Sequence, residues 1–163
     1  MPATREELLA RLNSLGIVTK TREHAAVFTV EEARALRGKI AGGNCKNLFL
    51  KDDKGSLWLI VCLEESQIDL KAAPVKIGSR RLSFGKPALL MEVLGVEPGC
   101  VTPFGLINDT ACRVTVVLDA AMMAHEQVNF HPLQNTATTT IASADLVAFI
   151  RSLGHEPNIV AVA

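Results

Sequence analysis

The chain has 163 residues, 48% hydrophobic and 21% charged, with 17 basic side chains balanced by 17 acidic ones. That is the composition of a globular protein with a real core, and no apolar run reaches the ~20 residues needed to cross a bilayer. A pI near 6.9 argues against a large nucleic-acid footprint, although the charge is uneven: residues 1–86 carry 15 Lys and Arg against 10 Asp and Glu, and residues 87–163 carry 2 against 7.

Thr4 to Leu15 reads as a helix, with Thr4 and Glu7 as a capping box, Leu8, Leu9, Leu12 and Leu15 as the apolar face, and Gly16 as the stop. Ile17 to Thr19 is a short strand candidate. Thr29 to Arg37 repeats the helix grammar, approached by the apolar run His24 to Phe28. Asn44 to Leu50 and Leu57 to Leu63 are strands joined by the turn Asp52-Asp53-Lys54-Gly55, a central hairpin. The second strand lacks polar alternation, so both its faces are expected to be buried. Ser66 to Ile77 has helical spacing that Pro74 must bend or interrupt. Gly78 to Gly85 reads as a turn and a short extended piece, and Pro87 to Leu94 is a helix closed by Gly95. Residues 99–109 form a loop. Then come a β-branched strand over Arg113 to Leu118, a helix over Ala120 to Gln127, extended chain over Val128 to Pro132, a Thr-rich strand over Thr136 to Ile141 and a helix over Ser143 to Leu153. His24 and His155 read as loop residues and His125 as a helix-surface one. No linker or repeat divides the chain, so residues 1–163 are expected to form a single domain. It is expected to be of mixed α/β (α+β) class, with a curved, barrel-like, mostly antiparallel sheet surrounded by helices.

The four cysteines, Cys45, Cys62, Cys100 and Cys112, include no Cys-x-x-Cys pair, so reduced thiols are expected and no zinc site. With no signal-peptide core at the N-terminus, a cytoplasmic protein is expected. Phosphate-loop and dinucleotide motifs are absent, as are the HExxH and GxSxG signatures. Three polar interruptions of apolar or turn-rich chain remain. Lys46 shares a strand face with Leu48 and Leu50, whereas Asn47 shares the other with Cys45 and Phe49. Two readings fit Lys46: a strand-end lysine whose stem packs while its head reaches water, or a cation facing an anionic ligand. In the loop over residues 102–109, Pro103 and Gly105 fix a backbone path that can present N–H groups. At Phe130-His131-Pro132 the proline holds His131 extended, either to serve a reacting oxygen or to bond a carbonyl at a strand end.

Taken together, Gly43-Asn44-Cys45-Lys46-Asn47-Leu48-Phe49-Leu50, Gly99-Cys100-Val101-Thr102-Pro103-Phe104-Gly105-Leu106-Ile107-Asn108-Asp109 and Phe130-His131-Pro132-Leu133-Gln134-Asn135 resemble the YbaK/ProX family of aminoacyl-tRNA deacylases. That family is related to the editing domain of bacterial prolyl-tRNA synthetases. The likeness is strongest to the freestanding branch acting on alanyl-tRNA(Pro). The resemblance implies hydrolysis of a mischarged tRNA without metal or organic cofactor. It implies that Lys46 holds the terminal adenosine through its phosphate, and that Asn47 and His131 orient the ester and ribose. It also implies that Thr102, Pro103, Phe104, Gly105 and Asn108 shape a small aminoacyl pocket, with Phe28 and Val30 as candidate apolar walls. The expected partner is tRNA(Pro) charged with alanine, with transient association with prolyl-tRNA synthetase or an elongation factor. Cysteine or serine as the acyl group, or a non-catalytic module that only holds the charged end, are the alternatives. Arg34, Arg37, Lys39, Arg80, Arg81 and Lys86 are candidate contacts to the tRNA body.

Overall fold

The computed structural model describes residues 2–24 and 42–163. The helix expected over 29–37, the candidate walls Phe28 and Val30, and the cations Arg34, Arg37 and Lys39 lie outside the described residues.

Helix α1 (Arg5–Ser14) begins at the expected capping box: the Glu7 N–H donates to Thr4 Oγ1 at 3.1 Å and the Thr4 N–H to Glu7 Oε1 at 3.2 Å. Leu8 and Leu12 are buried, while Leu15, past the last turn, is 40% exposed. The first strand, β1 (Lys20–Glu23), lies beyond the Ile17 to Thr19 run that apolar content selects. Its polar sequence, Lys-Thr-Arg-Glu, is held by backbone pairing rather than by burial.

The hairpin of β2 (Gly43–Asp52) and β3 (Leu57–Leu63) is the spine of the sheet, in regular antiparallel register from Cys45 opposite Leu63 to Lys51 opposite Leu57. One buried carboxylate ties its turn. Asp52 Oδ1 accepts the N–H groups of Lys54 and Ser56, and Oδ2 accepts the Trp58 indole N–H at 3.1 Å and the Arg80 N–H. Burial works to raise this carboxyl, but the bonds from Trp58, Ser56, Arg80 and Lys54 together hold it below its ordinary value.

Helix α2 (Ala73–Ile77) is the surviving end of the run expected from Ser66, because Pro74 is tolerated only in a first helical turn. Strand β4 (Leu82–Phe84) pairs with the end of β2. Helix α3 (Pro87–Leu94) ends on Gly95 at φ +67°, a left-handed cap. Two 3-10 turns, Pro98–Cys100 and Pro103–Asn108, fill the expected loop. There follow β5 (Val114–Asp119), α4 (Ala120–Met123), β6 (Gln127–Phe130), β7 (Ala137–Ala142), α5 (Ser143–Ser152) and β8 (Asn158–Val160).

Among the described residues the strands form one mixed eight-stranded sheet in the order β1-β7-β6-β2-β3-β5-β8, with β4 also on β2. The class is mixed α/β, as expected. The mostly antiparallel expectation holds, and the barrel-like one is corrected. Four pairings are antiparallel, three are parallel (β2 with β6, β3 with β5, β5 with β8), and the sheet does not close. The parallel pairs require crossover connections, which the helices supply.

Two apolar clusters flank the spine. Phe49, Leu59 and Val61 join Leu8, Leu12, Leu94, Phe104 and Phe149 on one face. Leu50, Trp58 and Ile60 join Leu82, Val117 and Val162 on the other. Strand β3 is therefore buried on both faces, as its unbroken apolar sequence requires.

Candidate functional site

Among the described residues the sheet is split beside Lys46. One edge of β2 pairs with β3 along most of its length. The other edge pairs with β6 only at Gly43 and Asn44, and with β4 only from Leu50 to Asp52. Between them, Cys45 to Leu48 have no strand partner on that edge among the described residues. Polar groups beside such a gap can meet a ligand that a closed ladder would exclude.

Register divides the site residues between the faces. Lys46 lies opposite Cys62, on the face of Leu48 and Leu50, and Asn47 opposite Val61, on the face of Phe49. Continuing the parallel register of Asn44 with Asn129 places His131 on the Lys46 face and Phe130 on the Asn47 face. The Lys46 face of the outer strands is polar: Asn44 and Asn129, then Thr138 and Thr140, then Lys20 and Arg22. It is also bonded within itself. Thr140 Oγ1 donates to Asn129 Oδ1 at 2.6 Å, and Asn129 Nδ2 donates to Asn44 Oδ1 at 3.3 Å.

Lys46 is half-buried and forms no salt bridge with a described carboxylate. A half-buried ammonium without a carboxylate partner is suited to an anionic ligand. Asn47 carries a buried amide oxygen with no hydrogen-bond partner among the described residues, an acceptor with capacity to spare. His131 Nδ1 sits 3.0 Å from the Ala137 carbonyl oxygen, and His24 Nε2 sits 2.8 Å from Thr138 Oγ1. The two imidazole rings are 6.4 Å apart, tilted by 56°. His24, which reads in sequence as a loop residue, thus faces His131. Its signal was available only in hindsight: it follows a strand that hydropathy does not reveal.

Neither nearby thiol is poised as a thiolate. Burial pushes Cys45 up to about 12, a hydrogen bond with the Asn129 backbone opposing and Cys62 and Glu64 reinforcing the rise. Burial pushes Cys62 up to about 11, Lys46 opposing and Asp119 reinforcing the rise. Both are protonated near neutrality. Among the described residues no three His, Cys, Asp or Glu side chains converge as metal ligands.

The loop over residues 102–108 has a structural role that the sequence does not distinguish from a pocket wall. Thr102 is buried, and its hydroxyl accepts the Phe104 N–H at 3.2 Å. Pro103 starts the 3-10 turn, and Phe104 is fully buried edge-to-face against Phe130 and Phe149, at 6.0 and 5.6 Å. Gly105 packs against the end of α3, where a Cβ would stand 3.1 Å from the Leu94 carbonyl oxygen. Asn108 donates to that same oxygen at 2.8 Å and accepts the Ala3 N–H at 2.7 Å. The Asn108 amide therefore ties α3 to the N-terminal segment. Phe104 supports Phe130, the residue before His131. The adjacent Gly99–Cys100 segment borders the His131 loop, with the Asn135 N–H directed at the Cys100 thiol.

The other histidines are placed differently. His125 is exposed in a turn against Gly43. His155 is buried, its Nδ1 donating to the Val114 carbonyl at 3.2 Å and its Nε2 standing 3.4 Å from Asp109 Oδ2. His155 is a loop residue, as expected, but a buried one whose ring is held in the core.

Residues 24–149 match the family model of the aminoacyl-tRNA editing domain. The chain is 40% identical over 158 residues to prolyl-tRNA synthetase associated domain-containing protein 1 of Bos taurus, covering 94% of this chain and 92% of that one. It is 35% identical over 152 residues to the prolyl-tRNA editing protein ProX of Acetoanaerobium sticklandii, covering 93% of both. Among solved structures, a candidate trans-editing enzyme for prolyl tRNA synthetase superposes with a TM-score of 0.72 at 21% identity, covering 98% of both chains. That likeness is one of fold.

Proposed function

The chain belongs to the aminoacyl-tRNA editing domain family, and from that premise we propose that it is a trans-acting deacylase that hydrolyses alanyl-tRNA(Pro). The observation that carries this reading is Lys46, half-buried without a carboxylate partner among the described residues, at the split in β2.

In this proposal the Lys46 ammonium binds the phosphate of the terminal adenosine. Asn47 and His131 orient the aminoacyl ester and its ribose from either side of the gap. An aminoacyl ester is already activated, so a placed water and hydrogen-bond donors to the developing oxyanion suffice, without a covalent protein intermediate. The high thiol values of Cys45 and Cys62 accord with a water-based route. Specificity is steric: a recess sized for a methyl group takes alanine and rejects the proline ring. A synthetase discriminates poorly against a smaller acyl group, and a second sieve removes it. The loop over residues 102–105 is proposed to border that recess. The partner is tRNA(Pro), with prolyl-tRNA synthetase or an elongation factor as transient associates that deliver it.

The test is a deacylation assay on tRNA(Pro) charged with alanine, cysteine, serine or proline. Alanyl-tRNA(Pro) should be cleaved fastest and prolyl-tRNA(Pro) spared, with substrate binding weakening as salt rises through lost phosphate contacts. Tight binding without turnover of any of the four would overturn the catalytic reading. Preferred cleavage of the cysteinyl or seryl ester would overturn the alanine assignment.

A further inference from the structure

We propose that His24 is a positioning residue of the deacylation site, clamping the carbonyl that sets the tautomer of His131, and that His131 Nε2 accepts the proton of the attacking water. The inference rests on the deacylase reading and goes beyond it by assigning the water-activating group.

The argument begins at Ala137. A carbonyl oxygen only accepts hydrogen bonds, so at 3.0 Å from it His131 Nδ1 is the donor and carries the hydrogen. In the neutral ring the lone pair is then on Nε2. His24 holds the residues on both sides of that carbonyl. Its backbone N–H donates to the Thr136 carbonyl at 2.9 Å, and its Nε2 is 2.8 Å from the Thr138 hydroxyl. Thr136, Ala137 and Thr138 are consecutive, so one residue at the end of β1 fixes the register and tilt of the peptide on which His131 leans. The ring separation of 6.4 Å adds direct packing between the imidazoles. Thr138 is only 7% exposed, so its hydroxyl has little access to water as a substitute partner.

The proton path balances. Water adds its oxygen to the ester carbonyl carbon while one of its protons passes to His131 Nε2, giving an imidazolium and a tetrahedral oxyanion. Collapse re-forms the carbonyl and breaks the bond to the ribose oxygen, which takes the proton back from Nε2. The products are free amino acid and uncharged tRNA, with the imidazole neutral again. The charged or titratable groups on this face, among the described residues, include Lys20, Arg22 and His24 from the β1 segment, Lys46 from β2, Cys62 from β3 and Asp119 from β5, with Glu64 following β3 beside Asn44. Strands β6 and β7 present Asn129, Thr138 and Thr140.

The experiment pairs nitrogen-15 NMR of the histidine rings with single-turnover deacylation of alanyl-tRNA(Pro) across pH. In the wild type His131 should show the Nδ1–H form, and the rate should rise with pH along one ionisation to a plateau. His131→Gln should lose that rise and about 10²-fold or more in rate. His24→Ala should mix the two tautomers of His131 and lower kcat about tenfold with KM little changed, a loss of the order of one hydrogen bond. His24→Gln, which can still bond Thr138, should recover most of the rate and the Nδ1–H signature. An unchanged His131 tautomer and pH profile in both His24 variants would overturn the clamp. A pH rise that survives in His131→Gln would overturn the assignment of the proton acceptor. A wild type inert on every aminoacyl-tRNA, with the tautomer signature intact, would overturn the deacylase reading beneath both.

Discussion

The two wings of the sheet, which share β2, obey the same alternation of side chains and end up chemically opposite. In the β3-β5 wing both faces are covered, and the strands read Leu-Trp-Leu-Ile-Val-Cys-Leu and Val-Thr-Val-Val-Leu-Asp. In the β6-β7-β1 wing one face carries Val128, Phe130 and Ile141 into the core, while the other carries Asn129, Thr138, Thr140, Lys20 and Arg22. The candidate site lies where the wings meet, at a strand whose face turns from Leu50 and Leu48 to Lys46 and Asn44 within a few residues. Among the described residues, a site is built from ordinary strand periodicity: one wing leaves a face uncovered by apolar side chains, and the shared strand lacks a partner at the junction.

That contrast can be attacked first through the core that backs the polar wing. Phe104→Ala removes a fully buried ring that supports Phe130 and should cost about 3–5 kcal/mol. Urea melts would show it as a lower midpoint. A variant of normal stability would mean that Phe104 is not the support assigned to it. Gly105→Ala forces a methyl against the Leu94 carbonyl and should cost about 1–3 kcal/mol by the same measurement. A stability loss confined to substrate-free protein, rescued by RNA, would instead make this glycine part of a binding surface.

The sandwiched wing has its own test in Asp52. Its carboxyl lies below the ordinary value in the folded state, so its stabilising contribution is fully present above the unfolded value of about 4. That contribution is lost as pH falls through the lower folded value. Asp52→Asn should therefore shrink the acid loss of stability, seen in thermal melts between neutral pH and about pH 3. An identical acid limb in wild type and variant would remove Asp52 as its source. The smallest effect is expected at the cap of α1, remote from both wings. Thr4→Ala should cost about 1 kcal/mol, read as a small drop in Tm with deacylation of alanyl-tRNA unchanged.

Much of this architecture is legible where a short-range physical rule decides it. The Thr4–Glu7 box, the Asp52 to Gly55 turn and the Gly95 stop each fixed an element boundary within a residue or two. Strands held by pairing alone escaped. Lys20–Glu23 is charged and carries no hydrophobic signal, and Asn158–Val160 is a three-residue edge beside β5, too short to stand out. The open, partly parallel sheet was hidden for a related reason, since which strands neighbour each other is a long-range property. At the site, the oddity of Lys46 among leucines was visible in the sequence, as was the separation of Lys46 and Asn47 onto opposite faces. The functional pull of residues 102–108 was visible too, but their side chains are committed to packing and capping. His24 could not be found, because its importance lies in facing a residue more than a hundred positions away.

The most direct test of the central claim is single-turnover deacylation of alanyl-tRNA(Pro) by wild type and by Lys46→Ala, with folding of the variant verified by its melt. The Lys46 ammonium at the gap in β2 is held to bind and orient the charged end, so the variant should keep its fold and lose about 10²-fold or more in rate. A folded Lys46→Ala protein that cleaves as fast as wild type would contradict the account.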